Sequence, residues 1–412
     1  MHHNILLTGA SGYLGGSLLA AWSSANLPPH GKLHALVRTD KQADDVRQYG
    51  AEPVRIDVSD PEAIRQCVVE RQITIVLWLI DAMRSEGQVA FIKALGEVKG
   101  RVGGDVHFVH VWICSSIRIT GGQALMNSRQ TSGAKIFSSH AGAPTDGPLL
   151  DTAPDLYDIQ KAQVPKLSLM GTVRTFSQVP PLRYSPTALT VHYTQAVTTN
   201  NTVIETGEAA GVKSYIFIPC IVYGKGTGPN NKISIQTTAI VRAALSQKRV
   251  YSVDDGKPVP PPSHPTAPIQ LTVFLTQTWP VCHISDNTTL YLALLRRILA
   301  GPAPPSGKQG YYLAASGSVA WNDLYVALAR ALTKRGEVVD EKVERADEGA
   351  LEGMAGALGC GREYVGLQVG GLCTFTAKRG EEIGWKPGYA KEHIFEAADD
   401  EVKIILEYEK GG

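Results

Sequence analysis

The chain carries almost no net charge, with 40 basic residues against 39 acidic ones for a formal balance of +1. A protein so nearly neutral lacks the single-sign field that holds nucleic acid, an anionic membrane or an acidic partner, so none of these is expected. Cysteine is sparse and unpatterned. The six residues, Cys67, Cys114, Cys220, Cys282, Cys360 and Cys373, form no CxxC pair and no metal-ligand spacing. That argues against a disulfide framework and against zinc, and it suits reduced thiols in a cytoplasmic protein. Long hydrophobic runs are missing too: nothing approaches the ~20 apolar residues of a membrane span. The apolar start of MHHNILLTGASGYLG is broken by glycine too early for a signal peptide. What remains is 412 residues, 43% hydrophobic and 19% charged. This is enough for one large α/β domain with a smaller lobe, and the expected partner is a small molecule.

Hydrophobic patterning alternates strand with helix from the first residues. Residues 4–8 read as a buried strand, followed by a glycine turn and a helix over 13–26. Further strands are expected at 32–38, 52–56 and 73–80, with a helix over 42–49. Ser59-Asp60-Pro61 offers a cap and a first-turn proline for a helix ending near Glu70. Residues 106–110 and 213–219 supply strands five and six. Strands and helices so interleaved predict a doubly wound parallel sheet of the Rossmann kind with right-handed crossovers. Beyond Tyr251 strands thin out, and helical patterns over 287–299, 321–333 and 393–408 suggest a substrate-covering lobe. The expected division is a dinucleotide domain over 1–250 and a lobe over 251–412.

Three stretches depart from this texture. Residues 111–130, 164–195 and 259–277 contain no Asp or Glu, where the chain-wide frequency of 39 in 412 would place about seven. Each begins with Val and ends with Gln, as an intron with GT and AG ends does when translated in frame. Excision joins VHFVH to TSGAKIF, YDIQKAQ to AVTTNNTVIETGEAAGV, and DDGKP to TWPVCHISD, and makes a broken helix continuous. The other reading is genuine Pro/Ser/Thr-rich surface loops, since long insertions in loops cost little.

Thr8-Gly9-Ala10-Ser11-Gly12-Tyr13-Leu14-Gly15 lies directly between the first strand and the first helix. Gly9 permits the tight turn, Gly12 lets backbone approach a diphosphate at the helix start, and Gly15 allows close helix–strand packing. Arg38 ends strand two, where an NAD-selective Rossmann protein usually keeps an acid; a guanidinium there favours a 2'-phosphate, with Lys41 as helper. The alternative for Arg38 is a solvated strand end.

TGxxGxxG in this context resembles the short-chain dehydrogenase/reductase superfamily, especially its extended, epimerase/dehydratase-like and atypical members. The resemblance implies a nicotinamide dinucleotide as cofactor, which Arg38 makes NADP, with NAD as the alternative. It puts Ser11, Tyr13 and Leu14 beside the diphosphate, and Asp57 and Val58 after strand three near the adenine. Asp57 reads equally well as a turn residue. Ile218-Pro219-Cys220-Ile221-Val222-Tyr223-Gly224 resembles the stretch along the nicotinamide, which makes Pro219 and Val222 cofactor neighbours. Cys220, without a partner base, reads as a packed thiol rather than a nucleophile. His283 reads as a structural hydrogen-bonder and Asp286 as a helix cap.

Tyr157-Asp158-Ile159-Gln160-Lys161 is the one YxxxK in the chain, putting phenol and ammonium on one helix face. With 15 tyrosines, roughly 0.7 such matches arise by chance, so position carries the argument: the motif falls between strands five and six. The resemblance implies Tyr157 as general acid or base, Lys161 lowering its pKa and holding the nicotinamide ribose, and Ser132 (less well Thr131) bonding the substrate oxygen. The reaction so implied is hydride transfer between the cofactor and a carbonyl or alcohol. Two readings compete with it: an epimerase or dehydratase on a nucleotide-linked sugar, and a non-catalytic dinucleotide sensor of the NmrA-like kind, whose members lack the Tyr-Lys pair. The resemblance also allows a homodimer, although no hydrophobic seam in the sequence marks one.

Overall fold

The computed structural model describes residues 2–111, 118–120, 123–125, 133–163, 187–253 and 277–410. Its first half is built as the patterning dictates. Strands β1 (Asn4–Leu7), β2 (Leu33–Leu36), β3 (Glu52–Val54), β4 (Ile73–Trp78) and β5 (His107–Val111) alternate with helices α1 (Tyr13–Ala21), α2 (Asp40–Arg47), α3 (Pro61–Glu70) and α4 (Glu86–Val102). The starts of α2 and α3 follow from side-chain chemistry. Thr39 accepts from the Gln42 amide, while Asp60 accepts from Glu62 and Ala63 with Pro61 in the first turn, each satisfying amides a helix leaves unpaired. Helix α4 fills the interval between strands four and five, where the sequence reading named no element.

After α5 (Leu156–Ala162) and α6 (Thr187–Ala210), the chain adds β6 (Lys213–Pro219), β7 (Ile221–Tyr223), α7 (Gln236–Gln247), β8 (Thr278–His283), α8 (Ile284–Ala300), β9 (Tyr311–Ala314), β10 (Gly317–Ala320) and α9 (Trp321–Thr333). The main sheet has the order β9-β6-β5-β4-β1-β2-β3, and every pairing in it is parallel. Helices α3, α4 and α6 form one layer; α1 and α8 pack on the other, tied where Arg296 Nη2 donates to the Ala25 carbonyl at 2.7 Å. Buried on both faces, β4 reads ITIVLW without one exposed residue. Each such Val, Leu or Ile contributes roughly 1.5–3 kcal/mol by leaving water.

Beyond Tyr251, where strands are expected to thin out, three of those named above follow. β9 returns to the main sheet as its seventh member, while β7, β8 and β10 form a second sheet. A buried carboxylate locks this return: Asp151 accepts from the Leu313 amide (3.1 Å) and from those of Lys378 (2.7 Å) and Arg379 (2.9 Å). Burial pushes its pKa up to about 6. The helix expected over 393–408 is two pieces, His393–Glu396 and Ala398–Lys410.

Of the acid-free stretches, Val111 closes β5, residues 118–120 and 123–125 pair as a short hairpin, residues 187–195 are the start of α6, and Gln277 precedes β8. The remainder lies outside the described residues, as do Thr131, Ser132 and Cys114.

Candidate dinucleotide site

The sheet order reverses between β1 and β4, so a crevice opens at their carboxyl ends, the general ligand position in doubly wound sheets. Thr8 closes β1 by accepting from the Leu79 amide through Oγ1 (2.7 Å), which seats the turn on β4. Gly9 follows at φ +69°, where a Cβ would run into the Leu79 carbonyl. A Cβ at Gly15 would meet the Gly9 carbonyl. Both positions therefore demand glycine, one for backbone angle and one for close packing. Gly12 is the N-cap of α1, and no side chain caps the helix or places an acid in its first turn. The first amides of α1 are thus left for an anion, as a diphosphate cradle requires. Ser11 lies in this turn, and Tyr13 and Leu14 open α1, with the Tyr13 hydroxyl donating to the Gly224 carbonyl at 2.6 Å.

The far wall is β2 and α2. Arg38 is exposed just beyond β2, and Lys41 is exposed in the first turn of α2. A residue not singled out from sequence joins them: Gln42 accepts from the Arg38 amide through Oε1 (2.8 Å) and donates to Ser11 Oγ through Nε2 (3.3 Å). The spacing Thr39-x-x-Gln42 is the signal that could have found it, being a capping box whose amide reaches further than usual. Asp57 accepts from the Ser59 amide (2.8 Å) and hydroxyl (2.6 Å), the turn role named as its alternative, and those bonds hold its carboxyl below the usual range. Val58 follows it in the β3–α3 loop.

Pro219 and Val222 sit at the carboxyl ends of β6 and in β7. Gly133, which follows Ser132 in the chain, packs against Ile218 and Pro219. Cys220 is a buried thiol donating to the Ala314 carbonyl at 2.9 Å, and desolvation raises its pKa well above the ordinary value. His283 caps α8, its ring accepting from the Ser285 amide at 3.3 Å. Asp286 pins the later loop instead of capping, accepting from the Gly388 (2.8 Å) and Tyr389 (3.0 Å) amides. Among the described residues no group of three or more His, Cys, Asp or Glu could hold a metal.

Tyr157 and Lys161 do share one face of α5, with Lys161 Nζ 3.3 Å from the phenol oxygen. Both, however, converge on Glu205, whose Oε1 is 2.5 Å from the phenol and 2.9 Å from the ammonium. Burial and this carboxylate push the Tyr157 pKa up, opposite to the lowering expected of the pair. Glu205 lies near the end of α6 that leads into the first residue of β6, and Lys308, over the Tyr157 ring at 4.9 Å, lies just before β9 begins. The pair therefore stands toward the amino-terminal edge of a parallel sheet, whereas the glycine turn follows the carboxyl end of β1. The two thus stand toward opposite edges of the sheet, and the structure does not bring them together.

The profile of the NAD dependent epimerase/dehydratase family matches residues 5–306. Among curated proteins none matches the chain. Solved structures with the same fold include the UDP-glucose 4-epimerase of Thermotoga maritima with UDP-glucose, at 12% identity and a TM-score of 0.55 over 98% of this chain and 99% of that one. Vestitone reductase from alfalfa gives 13% and 0.53 over 97% and 98%. The dTDP-glucose 4,6-dehydratase of Bacillus anthracis in complex with NAD gives 12% and 0.53 over 98% of each chain. With the family profile covering most of the sequence, and the Rossmann sheet, uncapped α1 and glycine turn all in place, the chain belongs to the NAD dependent epimerase/dehydratase family.

Proposed function

We propose that the protein is an NAD(P)-dependent oxidoreductase acting on a carbonyl or alcohol substrate, with NADP preferred. The observation that carries the reading is the uncapped start of α1 behind a glycine turn at the switch point of the sheet. Gly9, Ser11, Gly12, Tyr13, Leu14 and Gly15 would hold the diphosphate, with Arg38 at the 2'-phosphate. Asp57 and Val58 would border the adenine, and Pro219 and Val222 the nicotinamide. When bound, the dinucleotide supplies the hydride donor or acceptor. Exclusion of water behind the second sheet, and a proton held at the Tyr157 phenol, would be the contribution of this chain.

Delivery of that proton depends on which chain is made. Excision of residues 164–195 would join α5 to α6 without a break, because Asp155 would then take the helical place of Thr187, the first residue of α6. Tyr157 would take the backbone place of Leu189 and Lys161 that of Tyr193. Both places lie beyond Thr199, whose hydroxyl donates to the Met83 carbonyl past the carboxyl end of β4 (3.2 Å). In the shortened chain the pair thus shifts from the edge near Glu205 to the edge that carries the glycine turn. There Lys161 would favour the phenolate, and Ser132 would bond the substrate oxygen.

The test titrates NADPH and NADH into two proteins, the chain as written and the chain lacking 111–130, 164–195 and 259–277, and then assays both with a panel of carbonyls. The reading expects binding by both and turnover by the shorter one, lost in its Tyr157→Phe variant. Binding by neither sinks it. The off-edge position of the pair favours a second reading for the chain as written, a dinucleotide-binding sensor, which binding without turnover in both proteins would support. Relatives that are UDP-glucose 4-epimerases favour a third, acting on a nucleotide-linked sugar. It would be recognised by sugar epimerisation without net consumption of cofactor.

A further inference from the structure

The segment between β7 and α7 does not stand free. Gly224 accepts from the Tyr13 hydroxyl at its carbonyl (2.6 Å), the Thr227 amide donates to Ser17 Oγ (3.2 Å), and the Asn231 amide donates to the Ser11 carbonyl (3.4 Å). Gly228 lies so close to Gly16 that a Cβ on Gly228 would run into the Gly16 backbone. At the far end Asn230 Nδ2 donates to Asp45 Oδ2 on α2 at 3.2 Å. The segment also closes on itself, the Gly226 amide donating to the Lys232 carbonyl at 2.9 Å. In sequence it therefore crosses from the carboxyl end of β7, over the start of α1, to the helix that follows Arg38.

We infer that residues 224–231 form a strap across the dinucleotide cradle, latched by Asn230 on Asp45, and that release of the cofactor requires this latch to open. The inference rests on the dinucleotide reading above and deepens it, because it names the half-buried hydrogen bond at which the strap begins to open. Glu401 fixes the other end of the strap: its carboxylate accepts from the Gly224 amide (2.8 Å), from Ser234 Oγ (2.9 Å) and from Thr237 Oγ1 (2.6 Å). One end is thus held by a buried carboxylate and the other by the Asn231 amide on Ser11 and, nearer the surface, the Asn230 side chain on Asp45. Opening begins at Asn230.

The experiment loads the full chain with NADPH, chases with excess NADP and follows the fluorescence decay. Asn230→Ala removes a hydrogen bond to a charged acceptor and should speed dissociation at least about fivefold. Asn230→Asp sets a carboxylate against Asp45 and should speed it further at low salt, with the excess falling as salt screens the pair. Asp44→Ala, beside the latch but bonded to Arg47, should match the parent. Dissociation within twofold of the parent in both Asn230 variants would overturn the strap. A parent chain that takes up neither NADPH nor NADH would overturn the dinucleotide reading itself, and the strap with it.

Discussion

A single methyl group at position 15 tests how tightly the glycine turn is built. Gly15→Ala would drive a Cβ into the Gly9 carbonyl, an overpacking that costs roughly 1–3 kcal/mol. We expect a lower denaturation midpoint and NADPH binding weakened beyond the loss of stability. Arg38 makes a complementary case, exposed and free of any fold role beyond its backbone amide. Arg38→Ala should leave the melting temperature unchanged and raise the NADPH Kd about tenfold while leaving NADH alone, and equal loss for both would remove the 2'-phosphate assignment. Asp151 carries a pH dependence of definite sign. Its pKa is raised to about 6 by burial, so the folded state binds the proton more readily than the unfolded one. Its contribution is most favourable below about pH 4 and is lost as pH rises through 6. Asp151→Asn should flatten that part of the stability profile, read by urea melts at intervals between pH 4 and 7. Gly9 and Gly15 were legible because each answers to one steric demand. Gln42 was legible only as half of a capping box, and Glu205 not at all, because a side chain that bridges two distant elements leaves no mark in local sequence.

At the scale of elements, the sequence was readable wherever periodicity and caps agreed. Strands one to six and the Asp60-Pro61 start of α3 fall where patterning put them, the first four strands shorter by one to three residues, the fifth shifted by one and the sixth with the bounds expected. Helix α4 was passed over, though Glu86–Val102 presents Phe91, Ile92, Leu95 and Val98 to the core at helical spacing. The strand YYLA of β9 was missed for a different reason: four residues, all buried, show no alternation to distinguish them from loop or helix. The Tyr157–Lys161 pair was legible as a motif but not as a location, since one helix face says nothing about which edge of the sheet that face meets. Joining α5 to α6 by removing 164–195 should therefore show a gain of function rather than a loss. The expected outcome is measurable carbonyl turnover in the deletion variant, none in the parent, and unchanged NADPH affinity.

Taken whole, the molecule ties its terminal helix to its first. Tyr13 in α1 reaches Gly224, and Gly224 reaches Glu401 in the last helix, whose carboxyl is buried and pushed up in pKa by desolvation. Glu401→Ala would leave the Gly224 amide and two hydroxyls without their acceptor, at about 1–3 kcal/mol for each group left buried and unpaired. We expect a drop in melting temperature accompanied by faster NADPH release, with Glu407→Ala, exposed on the same helix, as the control. No helix among the described residues is long and apolar enough to cross a membrane.

The late arrival of β9 has a consequence for the order of events during synthesis. As the ribosome extends the chain, six strands of the nucleotide-binding sheet can pair once β6 has emerged, yet the edge of β6 stays open until Tyr311–Ala314 follows. For nearly a hundred residues of further translation, that bare backbone edge is a template for any stray strand. The nascent protein is most vulnerable to self-association in that interval, and a fragment cut near residue 250 would carry the same vulnerability permanently.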